Sequence, residues 1–179
     1  MSERDFEPLG GETIYEGRIV TLRVERFRFL EDGDEVEREI VRHPGAVGVV
    51  AYDDEHVYLV RQPREAVGDP DVLEIPAGRL DVDGEPPEET AKRELAEEIG
   101  KAAEHWEPLH SFYSSVGILD ETVHLFLATG LSDAEADSGE NERIEIVAWP
   151  IDRLDDAIAE CRDAKTLIGL LWLARRLNT

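Results

Sequence analysis

Apolar and polar residues alternate along the early part of this chain, and apolar runs of strand length follow. The alternation from Arg18 to Phe29 and the run from Val36 to Val41 predict a hairpin, because Glu31–Asp34 between them is a turn sequence. Further strands are predicted at residues 47–52, 57–61, 72–75, 106–113, 122–129 and 144–149. Apolar residues at helical spacing predict helices at 90–99, 151–160 and 164–177.

Strands with interspersed helices predict the α/β class, with the helices layered on a mixed sheet. We assign residues 44–179 to this α/β domain. Residues 1–43, which contain the hairpin, are predicted to form an added N-terminal antiparallel β-sheet.

The charge balance limits the class of partner. The chain has 42 Asp and Glu against 19 Lys and Arg, a net charge of −23, which repels nucleic acid and anionic membranes. The apolar run Leu167–Ala174 is too short to span a bilayer, and no signal pattern is visible, so we expect a cytoplasmic protein. Cys161 is the only cysteine, so no internal disulfide can form.

The scarcity of lysine adds a second expectation. Lysine occurs only at positions 92, 101 and 165, so most of the basic residues are arginine. Abundant carboxylate with scarce lysine is typical of proteins from salt-loving organisms, because concentrated salt screens the repulsion between surface acids. The alternative is an ordinary acidic protein.

One acidic helix carries the candidate chemistry. On the predicted helix Thr90–Ile99, the carboxylates of Glu94, Glu97 and Glu98 are spaced to project from one side. Ala91, Leu95 and Ile99 form an apolar stripe, so the helix is docked and its acidic side can border a cleft. Carboxylates this close favour a hard cation such as Mg²⁺, although a solvated acidic face is the alternative interpretation.

The segment Gly78–Gly100 resembles the box of the Nudix hydrolase family, G-x5-E-x7-R-E-U-x-E-E-x-G-U, where U is a bulky apolar residue. The matching residues are Glu85, Arg93, Glu94, Leu95, Glu97, Glu98 and Gly100. Two positions depart from the pattern. Six residues separate Gly78 from Glu85, one more than in the box, and Lys101 occupies the last apolar position. The resemblance implies an α/β/α sandwich.

Motifs outside the box resemble the Nudix group that hydrolyses ADP-ribose and related nucleoside diphosphate sugars. They are Arg42–Val47, Val60–Arg64, Glu74–Gly78 and Lys165–Leu167. The resemblance implies hydrolysis of a small nucleotide, most simply ADP-ribose to AMP and ribose 5-phosphate. It also implies a homodimer, because the N-terminal sheet of this group usually swaps between subunits, and the sequence leaves open whether it does so here. Val116 stands where this group usually has proline, which weakens the assignment of ADP-ribose.

The resemblance also implies roles for the box residues. Glu94 and Glu98 are the expected direct ligands of Mg²⁺, with Mn²⁺ as an alternative, and the backbone carbonyl of Ala77 is a further ligand. Glu97 is expected to bridge or support them, and Arg93, one turn before Glu97, to orient its carboxylate.

Residues outside the box complete the expected site. In related diphosphatases the general base comes from a loop before the last strand, which implies Glu140 here, with Glu142 second. Arg64 and Arg61 are candidates for holding the substrate phosphates, because a guanidinium matches phosphate oxygens. Glu121 is a candidate for contacting the substrate.

Two other functions remain open at this point. One is a Nudix hydrolase for another nucleotide, such as a different sugar nucleotide, a dinucleotide or an oxidised nucleoside triphosphate. The other is a non-catalytic nucleotide-binding regulator, which is disfavoured because the box glutamates are all present. The sequence leaves open which sugar and base are bound and how many metal ions take part.

Overall fold

The structure is a computed structural model that describes residues 5–134 and 143–178. Its contacts divide the described residues into two compact units. The first contains the residues up to Gly45 together with Tyr113–Thr122, and the second contains the rest. The first unit therefore extends beyond the predicted extension of residues 1–43, because a segment from the middle of the chain joins it.

The first unit contains a three-stranded antiparallel sheet. Its strands β1(Phe6–Glu16), β2(Thr21–Phe29) and β3(Glu35–Arg42) are hydrogen-bonded in that order. The predicted hairpin corresponds to β2 and β3. Strand β1 was not predicted, because Gly10 and Gly11 interrupt its pattern and most of its side chains are exposed. Pairing with β2, rather than local propensity, forms it.

The segment Tyr113–Thr122 is fastened to the end of β3. The backbone N–H of Val41 donates to the carbonyl of Ile118 at 2.8 Å. The side chain of Asp120 accepts from Arg42 at 2.9 Å and from the backbone N–H of His43 at 2.8 Å. These hydrogen bonds attach the segment Tyr113–Thr122 to the three-stranded sheet of the first unit.

The second unit is built on a seven-stranded mixed sheet. Its strands are β4(Ala46–Tyr52), β5(His56–Arg64), β6(Asp69–Glu74), β7(Ala77–Arg79), β8(Lys101–Tyr113), β9(Thr122–Asp133) and β10(Glu145–Pro150). The main order is β10-β5-β4-β9-β8, with β6 beside β5 and β7 beside β4. Strand β4 is parallel to β9 and antiparallel to β5 and β7, so the predicted mixed sheet is confirmed.

Three α-helices pack on this sheet in the described part of the chain: α1(Pro87–Ile99), α2(Leu154–Glu160) and α3(Ala164–Leu177). Helix α1 begins at Pro87, earlier than predicted, because proline fits the first turn of a helix. It ends at Gly100, whose φ of 63° closes the last turn as glycine readily does. None of the described helices is both long enough and apolar enough to cross a bilayer.

The helices cover opposite faces of the sheet, because neighbouring strand residues point to opposite sides. One face buries α1 in a cluster of Val47, Val49, Ala51, Val60, Ala91, Leu95, Ile99, Phe126 and Ala128. The other face buries α2 and α3 in a cluster that includes Val50, Leu59, Ile75, Leu125, Leu154, Leu170 and Leu173. Each fully buried leucine contributes about 1.5–3 kcal/mol, so α1 is docked firmly.

Candidate active site

Helix α1 faces the short connection from β6 together with Ala77 and Gly78, the first residues of β7, and this stretch is called the Ala77–Gly78 loop below. The side chains of Ala91 and Leu95 are completely buried, which fixes the rotation of the helix about its axis. Glu98, with only 9% of its surface exposed, is thereby turned towards the loop. Its Oε2 accepts the backbone N–H of Ala77 at 2.9 Å. Glu98, a predicted metal ligand, thus contacts Ala77, whose backbone carbonyl is another predicted ligand.

Gly78 makes the second contact between the loop and the helix. A Cβ atom at Gly78 would lie 1.9 Å from Cδ and 2.0 Å from Oε1 of Glu94. Two non-bonded heavy atoms cannot approach so closely, so only glycine fits beside the Glu94 side chain in this arrangement. The loop and α1 therefore bring Glu94 and Glu98 to the same stretch of backbone.

Arg93 links the acidic residues around it. Its Nη1 donates to Glu94 Oε1 at 2.9 Å and to Glu97 Oε2 at 3.0 Å. Its Nη2 lies 3.4 Å from Glu85 Oε2, which also accepts the hydroxyl of Thr90 at 2.7 Å. Arg93 therefore makes the expected contact with Glu97, whose carboxylate it holds in a defined orientation, and it also reaches Glu85.

The longer loop of the box takes part in this network. Asp81, in the segment that carries the additional residue, lies 3.5 Å from Nη2 of Arg93. Gly84, with a φ of 78°, supplies the turn that lets the chain enter α1. Lys101 opens strand β8 and pairs with Asp133 at 2.7 Å. Neither departure from the box pattern disturbs the contacts of Glu94 or Glu98.

Burial sets the ionisation of Glu94. The loss of hydration raises the pKa of this carboxyl, and the charge of Glu97 raises it further, although Arg93 opposes the shift. A carboxylate whose pKa is raised in this way is stabilised by an additional positive charge. The arrangement is therefore electrostatically suited to a cation.

The site fits a divalent ion only in part. Within residues 5–134 and 143–178, no three His, Cys, Asp or Glu side chains are grouped closely enough to hold a metal ion. Arg93 bridges Glu94 and Glu97 through its Nη1. However, Glu94 and Glu98 both adjoin the Ala77–Gly78 loop, and Mg²⁺ usually takes one or two carboxylates, with waters and substrate phosphates completing its shell. These residues fit that requirement.

The hydrogen bonds to Glu74 raise the pKa of Arg64, and the charge of Glu98 on α1 raises it further. Nε and Nη2 of Arg64 donate to the two oxygens of Glu74 at 2.5 and 2.8 Å. Glu74 does not use Nη1, and 43% of the Arg64 side chain is exposed. Among the described residues Arg64 Nη1 has no acceptor, so Arg64 presents one end of a fixed guanidinium that can bind an anion.

Glu74 is the site residue that the sequence analysis missed. It is 1% exposed, and Lys165 of α3 also donates to its Oε2 at 2.5 Å. Burial alone would raise the pKa of Glu74, but Arg64 and Lys165 hold it below its ordinary value. A sequence signal existed, since a glutamate within an apolar strand must find a partner when the strand is buried.

Arg61 forms ion pairs with different acidic residues from those that pair with Arg64. Strand alternation turns its side chain to the face opposite Val60, away from the cluster that buries α1. It pairs with Asp71 at 3.2 Å and makes a short ion pair with Glu160. The charge of Glu98 on α1 therefore acts on Arg64, whereas Arg61 is engaged by Asp71 and Glu160.

The remaining predicted residues have contacts within the first unit or lie outside the described residues. Glu121 belongs to the first unit, where its Oε1 lies 3.2 Å from Nδ1 of His43. The predicted general bases, Glu140 and Glu142, lie outside the described residues. Their role stays a prediction.

A match to a known domain agrees with this geometry. A family model described as NUDIX domain matches residues 42–167, which include α1, the Ala77–Gly78 loop and Arg64. The chain belongs to the Nudix family.

Two relatives of this Nudix protein are similar over most of their length. The methanol dehydrogenase activator of Bacillus methanolicus is 42% identical over 167 residues, covering 90% of this chain and 89% of the relative. The ADP-ribose pyrophosphatase of Bacillus subtilis (strain 168) is 38% identical over 181 residues, covering 97% and 95%. The predicted family and the similarity to ADP-ribose pyrophosphatases are confirmed, and the protein is a Nudix hydrolase.

A solved structure gives independent support for the Nudix fold. The crystal structure of an ADP compounds hydrolase matches with a TM-score of 0.86, covering 99% of this chain and 97% of that one. Since the identity is 23%, this likeness concerns the fold alone. It confirms the predicted α/β class, which comprises an antiparallel sheet and a mixed sheet.

Proposed function

We propose that this Nudix hydrolase cleaves the pyrophosphate bond of ADP-ribose, giving AMP and ribose 5-phosphate, with Mg²⁺ or Mn²⁺ as the required ion. Two observations support the substrate. The relative from Bacillus subtilis is named an ADP-ribose pyrophosphatase and is similar over almost the whole chain. The motifs around Arg64 and before Gly78 resemble those of that group.

The proposal depends above all on the meeting of α1 with the Ala77–Gly78 loop. Glu94 and Glu98 would hold the ion together with the carbonyl of Ala77, and Glu97 would support them. When bound, the ion neutralises the phosphate oxygens, polarises phosphorus and lowers the pKa of a bound water. The missing Cβ of Gly78 is what allows this loop to lie against Glu94.

Other residues would bind and orient the substrate. Arg64 would bind the phosphates through the Nη1 end that Glu74 leaves available. Arg93 would keep Glu97 in place. Substrate binding by Arg61 would require its ion pairs with Asp71 and Glu160 to break, so we give this role to Arg64. We retain Glu140 and Glu142 as the proposed bases.

A charge-neutral substitution tests the site. Glu98→Gln keeps an oxygen that can accept the N–H of Ala77, so we expect it to fold, but to lose metal-dependent hydrolysis and to bind Mn²⁺ more weakly in calorimetry. The control is Glu89→Gln, on the same helix, whose carboxylate is largely exposed and pairs with Lys92. A Glu98→Gln variant that hydrolyses as fast as the wild type would show that the site is wrongly assigned.

A substrate panel tests the specificity. ADP-ribose is compared with other sugar nucleotides, a dinucleotide and an oxidised nucleoside triphosphate, each with Mg²⁺, with Mn²⁺ and with EDTA, and products are separated by chromatography. We expect the highest kcat/KM for ADP-ribose and no hydrolysis in EDTA. A preference for another sugar nucleotide would agree with Val116, which replaces the usual proline, and would reject ADP-ribose as the substrate.

We also propose that the protein is a homodimer. The first unit exposes large apolar side chains, including Phe6 at 59% and Val116 at 82%. Within this unit they border a cleft of about 530 Å³. Its apolar lining comprises Phe6, Phe27, Phe29, Val36, Ile40, Val116, Ile118 and Leu119. Sedimentation velocity should give a dimer mass, and a monomer at micromolar concentration would contradict the proposal.

A further inference from the structure

A buried carboxylate with two cations lies directly before the Ala77–Gly78 loop. Glu74 is the last residue of β6. Arg64 engages both of its oxygens from one side, at 2.5 and 2.8 Å, and Lys165 engages Oε2 from another, at 2.5 Å. Arg64 and Lys165 reach Glu74 from different elements, β5 and α3. The carboxylate therefore joins these two elements to the end of β6.

The Lys165 side chain is itself held in place. Its Nζ donates to Asp163 Oδ2 at 3.0 Å, and only 16% of the side chain is exposed. Asp163 caps α3 by accepting the N–H and the hydroxyl of Thr166 at 2.9 and 2.6 Å. The hydroxyl oxygen of Thr166 accepts the N–H of Ile75 at 2.9 Å. The start of α3 is thus connected twice to the chain before Ala77.

The position of Lys165 is electrostatically unfavourable for its own helix. A cation in the first turn faces the positive end of the helix dipole. Burying ions also costs hydration energy, which their mutual attraction offsets only when the geometry is good. Lysine is one of the rarest residues in this chain, yet this one is largely buried among polar groups. Helix stability does not explain its presence there.

We propose that Lys165 is a positioning residue that fixes Arg64, through Glu74, for contact with the substrate phosphates. With Lys165 in place, its ammonium group fixes the carboxylate of Glu74, and this carboxylate accepts hydrogen bonds from Nε and Nη2 of Arg64. The guanidinium is thereby held with Nη1 available to the substrate. Without Lys165, Glu74 keeps one partner and both side chains gain freedom, so the phosphates are bound less well. This inference rests on the proposed function, because it takes a phosphate-bearing substrate as given.

A direct contact between Lys165 and the substrate is the main alternative. Its ammonium group already donates to Glu74 and Asp163, and the side chain is mostly buried. Arg64 is the more exposed of the two cations, at 43% against 16%. The geometry therefore favours an indirect role for Lys165.

The first test measures binding apart from hydrolysis. Affinity for ADP-ribose in EDTA is measured by calorimetry for the wild type, Lys165→Met and Lys165→Arg. We expect Lys165→Met to bind about tenfold more weakly, which is the loss of roughly one charge-assisted hydrogen bond. KM in Mg²⁺ should rise by a similar factor while kcat changes little, and Lys165→Arg should recover most of the affinity. Unchanged affinity in Lys165→Met would overturn the proposal.

Two controls separate positioning from general damage. Lys92→Met removes an exposed lysine that pairs with Glu88 and Glu89, and it should leave affinity and KM as in the wild type. Lys165→Gln removes the charge and shortens the side chain while staying polar, and it replaces Lys165→Met if that variant does not fold. The same weakening is expected from it, and wild-type affinity in this variant would equally reject the proposal.

A double-mutant cycle tests whether Lys165 acts through Arg64. If it does, adding Lys165→Met to Arg64→Gln should weaken binding by less than about twofold beyond Arg64→Gln alone. If the fold-losses in affinity of the two single variants multiply in the double variant, Lys165 acts independently of Arg64 and the proposal fails. If the wild type does not bind ADP-ribose, the proposed function is wrong. The same cycle is then measured with the nucleotide that the substrate panel identifies. If Lys165→Met binds that nucleotide as tightly as the wild type does, the positioning role is rejected.

Discussion

Gly78→Ala is the change for which the structure predicts the clearest separation of stability from activity. The new Cβ would lie 1.9 Å from Cδ of Glu94, so the carboxylate must move by about 1.5 Å to reach the 3.4 Å of an ordinary contact. Gly78 is not among the glycines with positive φ, so the alanine backbone itself is unstrained. The effect therefore falls on the position of Glu94.

The expected magnitudes differ for folding and for catalysis. The clash is with the end of a side chain, so we expect a loss of about 1–2 kcal/mol in the free energy of unfolding. For a domain of this size the Tm should fall by about 2–8 °C. A displacement of a site group by about 1 Å can reduce the rate about 100-fold, so kcat/KM should fall by at least that factor.

The assay compares Gly78→Ala with Gly33→Ala in metal-dependent hydrolysis and thermal unfolding. Gly33 has a φ of 79° and open space around its Cβ position, so alanine there costs about 1–2 kcal/mol of backbone strain and touches nothing. Both variants should therefore melt a few degrees lower, but only Gly78→Ala should lose activity and Mn²⁺ affinity. If Gly78→Ala retains kcat/KM within about threefold of the wild type, Glu94 does not need the position that the structure gives it.

Three further predictions concern stability. In metal-free buffer at about pH 7, Glu94→Gln should melt at a higher temperature than the wild type, and the difference should vanish near pH 4. Because the pKa of Glu94 is raised in the folded state, the stability that is present below its ordinary pKa is lost as the pH rises through the raised value. A Glu94→Gln variant with the same Tm as the wild type at both pH values would contradict this. Thr166→Val removes the acceptor for the Ile75 N–H and should lower the free energy of unfolding, measured in urea, by about 1–3 kcal/mol. Thr166→Ser keeps this acceptor and should not lower it. A valine variant as stable as the wild type would show that the Thr166–Ile75 hydrogen bond does not stabilise the fold. The net charge of −23 predicts a lower Tm in dilute buffer than in multimolar KCl, and an unchanged Tm would reject the halophilic interpretation.

The features that the sequence predicted well are local ones. The predicted end of α1 at residue 99 is correct and Gly100 follows it, whereas the predicted start at Thr90 is three residues late, because Pro87 begins the helix. The spacing of Ala91 and Leu95 identified the buried side of the helix, and both are fully buried. Each of these inferences depends on neighbours within a few turns of one helix, so no tertiary information was needed.

The features that the sequence did not predict are pairings across the chain. Strand β1 has a weak pattern of its own and forms because β2 lies beside it. Arg61 and Arg64 were both candidates for phosphate ligands, with Arg64 preferred, and the acids that pair with each of them in the structure separate them. Glu74 attracted no role, because its partner Lys165 is 91 residues away in the chain.

The sequence by itself determined the family, the acidic helix and the glycine loop before it, because exact spacing along the chain carries that information. Only the tertiary structure decided that Gly78 lies against Glu94, that Arg64 is gripped by Glu74, and that α3 supports this pair through Lys165. These contacts depend on which strands pair and on how deeply each charge is buried. A buried charge must find its partner in space, wherever that partner lies in the sequence.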